Sequence, residues 1–123
     1  EHVHDCYYKD TYCRKVTRKN LRGGNMLHED RNKMNEKTLN LKRAIDSLKE
    51  ELEAVDFYNQ RADACTDENL KKILVHNANE EKEHAAMLLE WIRQNDTDFA
   101  KELKEYLFSE EKDVASVEEK NFS

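Results

Sequence analysis

Apolar residues recur at steps of three and four positions from Leu41 to Ala62, which is the period of one face of an α-helix. Neither Pro nor Gly interrupts this part of the chain. The pattern predicts a helix from about Lys37 to Ala64, roughly 40 Å long at ~1.5 Å per residue. Its buried face is predicted to carry Leu41, Ala44, Ile45, Leu48, Leu52, Val55, Tyr58 and Ala62.

A second helical pattern follows a polar break at residues 65–68. Thr66 or Asp67 is a suitable N-cap, and the helix is predicted to run to about Gln94. A connection this short places consecutive helices side by side and antiparallel. The apolar stripe of this second helix consists of Leu70, Ile73, Leu74, Leu88, Trp91 and Ile92.

A polar run at residues 95–98 predicts a stop and a restart of the helix, with Thr97 or Asp98 capping a third, shorter helix. That helix has an apolar face of its own, made of Phe99, Ala100, Leu103, Tyr106 and Leu107. After Phe108 the chain becomes acidic and loses its period, so residues 109–123 are predicted to be a flexible acidic tail. The fold class is therefore all-α, a two-helix hairpin plus a short third helix at residues 37–108.

Three polar residues stand in the apolar seam between the two long helices. Glu51 lies in the first stripe, and Glu81 and His84 fill slots of the second, with no Lys or Arg in the seam. Glu51 and Glu81 are equidistant from Thr66, so an antiparallel hairpin brings them to the same height. A buried carboxylate without a cationic partner holds a proton or binds a metal. The seam therefore predicts either a metal site or a polar core triad in which a protonated Glu is hydrogen-bonded to His.

The number of potential ligands in one chain favours a metal site that is shared between two chains. Diiron carboxylate bundles use one Glu from each of two helices and a Glu-x-x-His pair from each of two others. This chain supplies one of each, which is half of such a site. Two chains would complete a four-helix bundle, and two copies of Glu51 and Glu81 would balance the charge of two divalent ions. Oxygen ligands with one imidazole per metal suit iron, with manganese, zinc or calcium as substitutes.

Composition limits the other possibilities. The 123 residues carry a net charge of −6, 39% charged residues and a mean hydropathy of −1.07. We therefore expect neither a nucleic acid nor a membrane as partner. A polar two-helix hairpin buries little by itself, so self-association is expected. The odd number of cysteines, three, fits a reducing cytoplasm better than a disulfide framework.

The first 25 residues differ from the rest of the chain. They contain both glycines and three of the five tyrosines, and six Lys and Arg against three Asp and Glu. We expect residues 1–36 to be a disordered or non-native tail with a polar lead-in, and Met26 to be the natural start.

Two segments of the long helices resemble the signatures of encapsulated ferritins. The first is residues 50–61, EELEAVDFYNQR, and the second is His76-Asn77 followed by EEKEHAAM at residues 80–87 and Glu90-Trp91. Leu103 and the run at residues 106–108 match the third helix of that family. The resemblance covers about residues 37 to 108.

This resemblance implies a fold and an activity. The family is a ferritin-like four-helix bundle made by two hairpins around a diiron ferroxidase centre, and its dimers form a decameric ring inside an encapsulin shell. Glu51, Glu81 and His84 of both subunits would be the ligands and catalytic residues. Tyr58 would be a further catalytic residue beside them, although packing in the core is its first role. The implied location is an encapsulin nanocompartment in the cytoplasm.

Two accessory metal sites are also implied. Glu50 and Glu53 would draw Fe(II) towards the centre, and their alternative is an ordinary acidic helix face. His76, Glu80 and Glu83 would form a surface site, for which a solvated face is an equal alternative. The chain departs from the family at Phe57, where Trp is expected, and no encapsulin-targeting peptide is evident in residues 109–123.

Two other functions remain open. A rubrerythrin-like diiron peroxidase would use the same site but take peroxide as its oxidant. A helical assembly module would hold a structural metal between subunits and carry out no redox chemistry.

Overall fold

The computed structural model describes residues 27–122, with side chains to Glu118. The expectations for residues 1–26 lie outside this range. After a single 3-10 turn at Arg31–Lys33, the helices are α1 (Glu36–Ala64), α2 (Glu68–Asn95), α3 (Thr97–Tyr106) and α4 (Val114–Phe122). No strand occurs within the described residues, so the all-α prediction is confirmed there.

Helix α1 begins where its sequence supplies a cap. The Asn35 side chain accepts a hydrogen bond from the Thr38 amide at 2.8 Å, which satisfies one of the free N–H groups of the first turn. The helix then continues for 29 residues to Ala64, within one residue of the predicted start and at the predicted end. Cys65 adopts an extended conformation and ends it.

Three residues separate the end of α1 from the start of α2. Asp67, one of the two predicted caps, accepts from the Leu70 amide at 2.9 Å, and the helix runs for 28 residues to Asn95. The short connection folds α2 back along α1, and the two helices pack against each other over their lengths. The predicted antiparallel hairpin is confirmed.

Small residues form most of the seam between the two helices. Buried alanines let the backbones approach closely, while Tyr58 and Ile92 are the largest fully buried side chains. The buried apolar residues of the two helices are Leu39, Ala44, Ala54, Tyr58, Ala62, Ala78, Ala85 and Ile92.

Several large apolar residues that were predicted to lie in a buried stripe are exposed in the single chain, so the prediction is wrong for them. Two helices bury only the flank that each turns towards the other, so the adjoining flank remains in contact with solvent. Leu52 is 55% exposed, and the same holds to a lesser degree for Ile45, Leu70, Ile73 and Trp91. Met87 and Val75, which were not part of the predicted stripes, are also exposed.

Helix α3 packs on α2, and its cap differs from the prediction. Asp96, rather than Thr97 or Asp98, accepts from the Phe99 amide at 2.9 Å. Asp96 has the extended backbone that an N-cap needs, whereas Thr97 and Asp98 are already helical.

The C-terminal segment also differs from the prediction. Residues 109–123 were expected to be a flexible tail, but Val114–Phe122 form α4, which packs on α3 and buries Val117. Phe108 turns the chain between them with φ of 60°. A nine-residue helix with one weak apolar pair carries too little periodic signal to be recognised without α3 beside it. The domain boundary at residue 108 stays a prediction.

None of the helices in the described range is long and apolar enough to cross a membrane.

Candidate metal centre

Glu51 on α1 meets Glu81 and His84 on α2 halfway along the hairpin. Both carboxylates are buried, with 7% exposure for Glu51 and 3% for Glu81. One ligand atom from each of the three residues lies within 4.8 Å of the others. Within residues 27–122, this is the group in which three potential metal ligands come together. The predicted equal height of the two glutamates is confirmed.

His84 connects the two carboxylates. Its Nδ1 atom lies 3.1 Å from Oε1 of Glu81 and 3.6 Å from Oε1 of Glu51. Because Glu81 and His84 are three residues apart on one helix, they share a face and can act on the same ion. The His84 side chain is 42% exposed, so the centre is closed by protein on one side and open on the other.

Two members of this cluster have raised pKa values, through burial for one of them and through mutual contact for both. Burial, followed by the neighbouring Glu81 carboxyl, raises the pKa of Glu51 to about 8, while His84 opposes the shift. Burial by itself lowers the pKa of His84, but its hydrogen bond with Glu81 and the charges of both glutamates together raise it. The cluster therefore holds more protons at neutral pH than separate side chains would.

A divalent cation fits these residues. Oε1 of Glu51 is buried and has no hydrogen-bond partner, which is costly for a carboxylate oxygen. A cation at the point where the three residues converge would satisfy that oxygen, displace the shared protons and use the oxygen and imidazole donors that iron, manganese and zinc accept. A polar core triad would satisfy this oxygen only through a proton shared with the neighbouring Glu81 or His84.

Tyr58 lies on the same face of α1 as Glu51, two turns closer to the hairpin connection. It is 1% exposed, so the packing role expected of it is confirmed. Arg61, which the sequence analysis did not single out, places its guanidinium over the rings of both Tyr58 and Phe57. The only sequence signal for this contact is the spacing of three and four residues.

Glu50 and Glu53 flank Glu51 on α1. Glu50 is half-buried and Glu53 is exposed. Partial desolvation, followed by the nearby carboxylate of Asp56, raises the pKa of Glu53. Within the described residues these carboxylates do not form a converging group of three ligands, so their role in drawing in iron stays a prediction.

His76, Glu80 and Glu83 are all exposed on α2. In the described part of the chain, the structure does not bring their ligand atoms together as it does those of the central cluster. The surface metal site stays a prediction without geometric support.

Comparison with known proteins adds an independent line of evidence. A protein of Rhodospirillum rubrum named "Encapsulated ferritin-like protein" is 57% identical over 86 residues, which is 70% of this chain and 61% of that protein. The chain thus spans about three fifths of the length of this relative. The "Encapsulin nanocompartment cargo protein EncC" of Myxococcus xanthus is 39% identical over 59 residues, 48% of this chain and 45% of that protein.

A solved structure agrees with the observed fold. The crystal structure of a protein from Nitrosomonas europaea is 59% identical, with a TM-score of 0.66 over 69% of this chain and 93% of that one. The family model described as EncFtn-like matches residues 26–110, a range that contains the hairpin, the carboxylate–histidine cluster and α3. The chain therefore belongs to the EncFtn-like family of encapsulated ferritin-like proteins.

Proposed function

We propose that the protein is a ferroxidase whose diiron centre forms where two copies of the hairpin meet. The observation that carries this proposal is the buried pair Glu51 and Glu81, bridged by His84, with one carboxylate oxygen left without a hydrogen-bond partner. One chain supplies half of the ligand set that a diiron carboxylate bundle needs. The exposed apolar flank beside the cluster provides a surface for the second copy.

In this proposal Fe(II) is the substrate, and the protein supplies binding and charge. Glu81 and His84 bind from α2 and Glu51 binds from α1. The four carboxylates of two chains balance two divalent ions, so binding requires Glu51 to release its proton. Two Fe(II) ions lose one electron each, and the two electrons with two protons reduce O2 to hydrogen peroxide. Acidic ligands favour the Fe(III) product, because its higher charge is better neutralised by carboxylates.

Delivery of iron into an encapsulin shell belongs to the same proposal. It is supported by two relatives, which are named as an encapsulated ferritin-like protein and an encapsulin cargo protein. We infer that this chain is cargo of such a shell. Co-expression with the encapsulin of the same genome, followed by purification of the shell, is expected to retain this protein at a constant ratio to shell subunits.

Aerobic Fe(II) oxidation followed by absorbance tests the proposed activity. The wild type is compared with Glu81→Gln, which keeps the size of the side chain but removes its charge, and with Glu102→Gln, an exposed control on α3. We expect the wild type and the control to oxidise Fe(II) at least tenfold faster than buffer, and Glu81→Gln to lose that acceleration. All three proteins must first show the same association state.

Two outcomes would replace the proposal. Equal rates for all proteins and buffer, with metal still bound by the wild type, would indicate a structural metal. Much faster oxidation by hydrogen peroxide than by O2 would indicate a peroxidase.

A further inference from the structure

Arg61 lies over two aromatic rings of its own helix. Its guanidinium carbon is 5.5 Å from the centroid of the Tyr58 ring and 5.7 Å from that of the Phe57 ring. Both distances are within the ~6 Å range of a cation–π contact. Because Arg61 follows these residues by three and four positions, its side chain extends back along α1 over the preceding turn.

Tyr58 is the more consequential of the two rings because of its position. It is almost fully buried, whereas Phe57 and Arg61 are half-buried. Its side chain belongs to the same face as Glu51 and leans towards the N-terminal end of α1, which is the direction of Glu51. Ala54, buried one turn before Tyr58, is small enough to leave space for the ring.

A fixed cation over a phenol ring has an electronic consequence. The attraction arises from the electron density on the ring face, so it stabilises the intact ring. Oxidation removes an electron from that ring and thereby weakens the attraction. The partial burial of Arg61 strengthens the effect, because water screens its charge less than that of a fully exposed side chain.

We infer that Arg61 is a positioning residue for Tyr58 and that the charge of Arg61 protects the Tyr58 ring from one-electron oxidation. The biological meaning of this inference rests on the proposed function, which supplies O2 and peroxide as oxidants near the ring. Under that function, the protection directs the oxidant to Fe(II) rather than to the protein. Loss of protection would let Tyr58 give one electron to the oxidant and release its phenolic proton, which ends in the bulk solvent, leaving a neutral tyrosyl radical.

The test uses a photogenerated oxidant and no iron. Light and persulfate convert a ruthenium(II) polypyridyl complex to ruthenium(III), which takes one electron from tyrosine. The readout is the tyrosyl-radical signal in electron paramagnetic resonance that disappears on Tyr58→Phe. Three variants are compared with the wild type: Arg61→Met, which keeps an unbranched apolar stem, Arg61→Lys, which keeps the charge, and Arg43→Met, the same change elsewhere on α1.

We expect Arg61→Met to increase the Tyr58-dependent signal about tenfold, as the energy of a partly desolvated cation–π contact implies. Arg43→Met and Arg61→Lys are expected to stay within about threefold of the wild type. The inference is overturned if Arg61→Met matches the wild type. It is equally overturned if Arg61→Lys rises as far as Arg61→Met, because the cause would then be lost packing rather than lost charge.

The result is independent of the proposed function. Fe(II) oxidation by the wild type decides whether the centre is a ferroxidase, while the ruthenium experiment contains no iron. Circular dichroism at the working temperature verifies that each variant is folded before the signals are compared.

Discussion

At the scale of single residues, the buried Glu51 carboxyl is the feature that most needs a ligand. Its Oε1 atom has no hydrogen-bond partner, and burial with Glu81 beside it raises its pKa to about 8. The group is therefore protonated at neutral pH without metal and must ionise to bind one. Stability and metal affinity should both depend on pH through this residue.

The metal-free protein is expected to lose stability as the pH rises from about 5 to above 8. The folded state then holds a proton on Glu51 that the unfolded state has released above its ordinary pKa of about 4.5, so the free energy of unfolding falls with pH. The raised pKa of His84 acts in the same direction. Urea unfolding at pH 5.5 and 8.5 measures the effect, which we expect to be on the order of 1–3 kcal/mol.

Glu51→Gln is the variant that isolates this contribution, because its amide does not titrate. Its stability should change clearly less than that of the wild type between the two pH values, while Glu102→Gln should follow the wild type. Identical pH profiles for all three proteins would contradict the assignment of the raised pKa to Glu51.

Metal binding is expected to release protons. Calorimetric titration with Zn(II), which is redox-inert, in two buffers of different ionisation enthalpy gives the number released. We expect a clear release at pH 7 and a smaller one at pH 9, where Glu51 is already largely ionised. Release that is absent at pH 7, or unchanged in Glu51→Gln, would show that the ion binds elsewhere.

At the scale of elements, short polar segments between the helices decide where each helix starts. Asn35, Asp67 and Asp96 each accept a hydrogen bond from an amide of the first turn. The cap of α2 also sets the register of the seam, because Glu81 and His84 are counted from it. A slip of one residue would rotate both by ~100° away from Glu51.

Asp67→Ala is expected to destabilise the protein by ~1 kcal/mol, since it leaves the Leu70 amide without its partner. Thr66→Ala is the matched control, because Thr66 is the neighbouring exposed residue that the sequence also offered as a cap. It should change the unfolding free energy by less than ~0.5 kcal/mol. Thermal and urea unfolding distinguish the two, and a larger effect for Thr66→Ala would mean that the helix starts one residue earlier.

At the scale of the whole molecule, a single hairpin leaves part of its apolar surface exposed. Several large apolar side chains are about half exposed, and the carboxylate–histidine cluster opens to solvent beside His84. Exposed apolar side chains beside a half-open polar cluster support the proposed association of two copies. Association and the completed metal site are thus expected to form together.

Met87→Arg is expected to reduce both association and Fe(II) oxidation, because Met87 is exposed one turn after His84 and a charge there would be buried between copies. Ala86→Arg adds the same charge at the neighbouring exposed position. Sedimentation velocity at several protein concentrations should show smaller species for Met87→Arg. If Ala86→Arg dissociates and Met87→Arg does not, the interface lies on another face.

Local sequence patterns by themselves determined the hairpin and the position of its two buried glutamates. The bounds of α1 and α2 and the meeting of Glu51 with Glu81 follow from a helical period, a capping residue and an equal count from the connection. Each of these is a property of neighbouring residues, and two long helices with a short connection have little choice but to pack antiparallel. The family signatures at residues 50–61 and 76–91 lie in the same segments.

Tertiary structure decided the remainder. The exposure of particular apolar residues and the existence of α4 both depend on contacts between elements. The sequence period marks an apolar face without saying which part of it a second helix covers. The raised pKa of Glu51 likewise arises only where burial and two side chains of α2 act on it together, so it belongs to the packed hairpin and not to either helix alone.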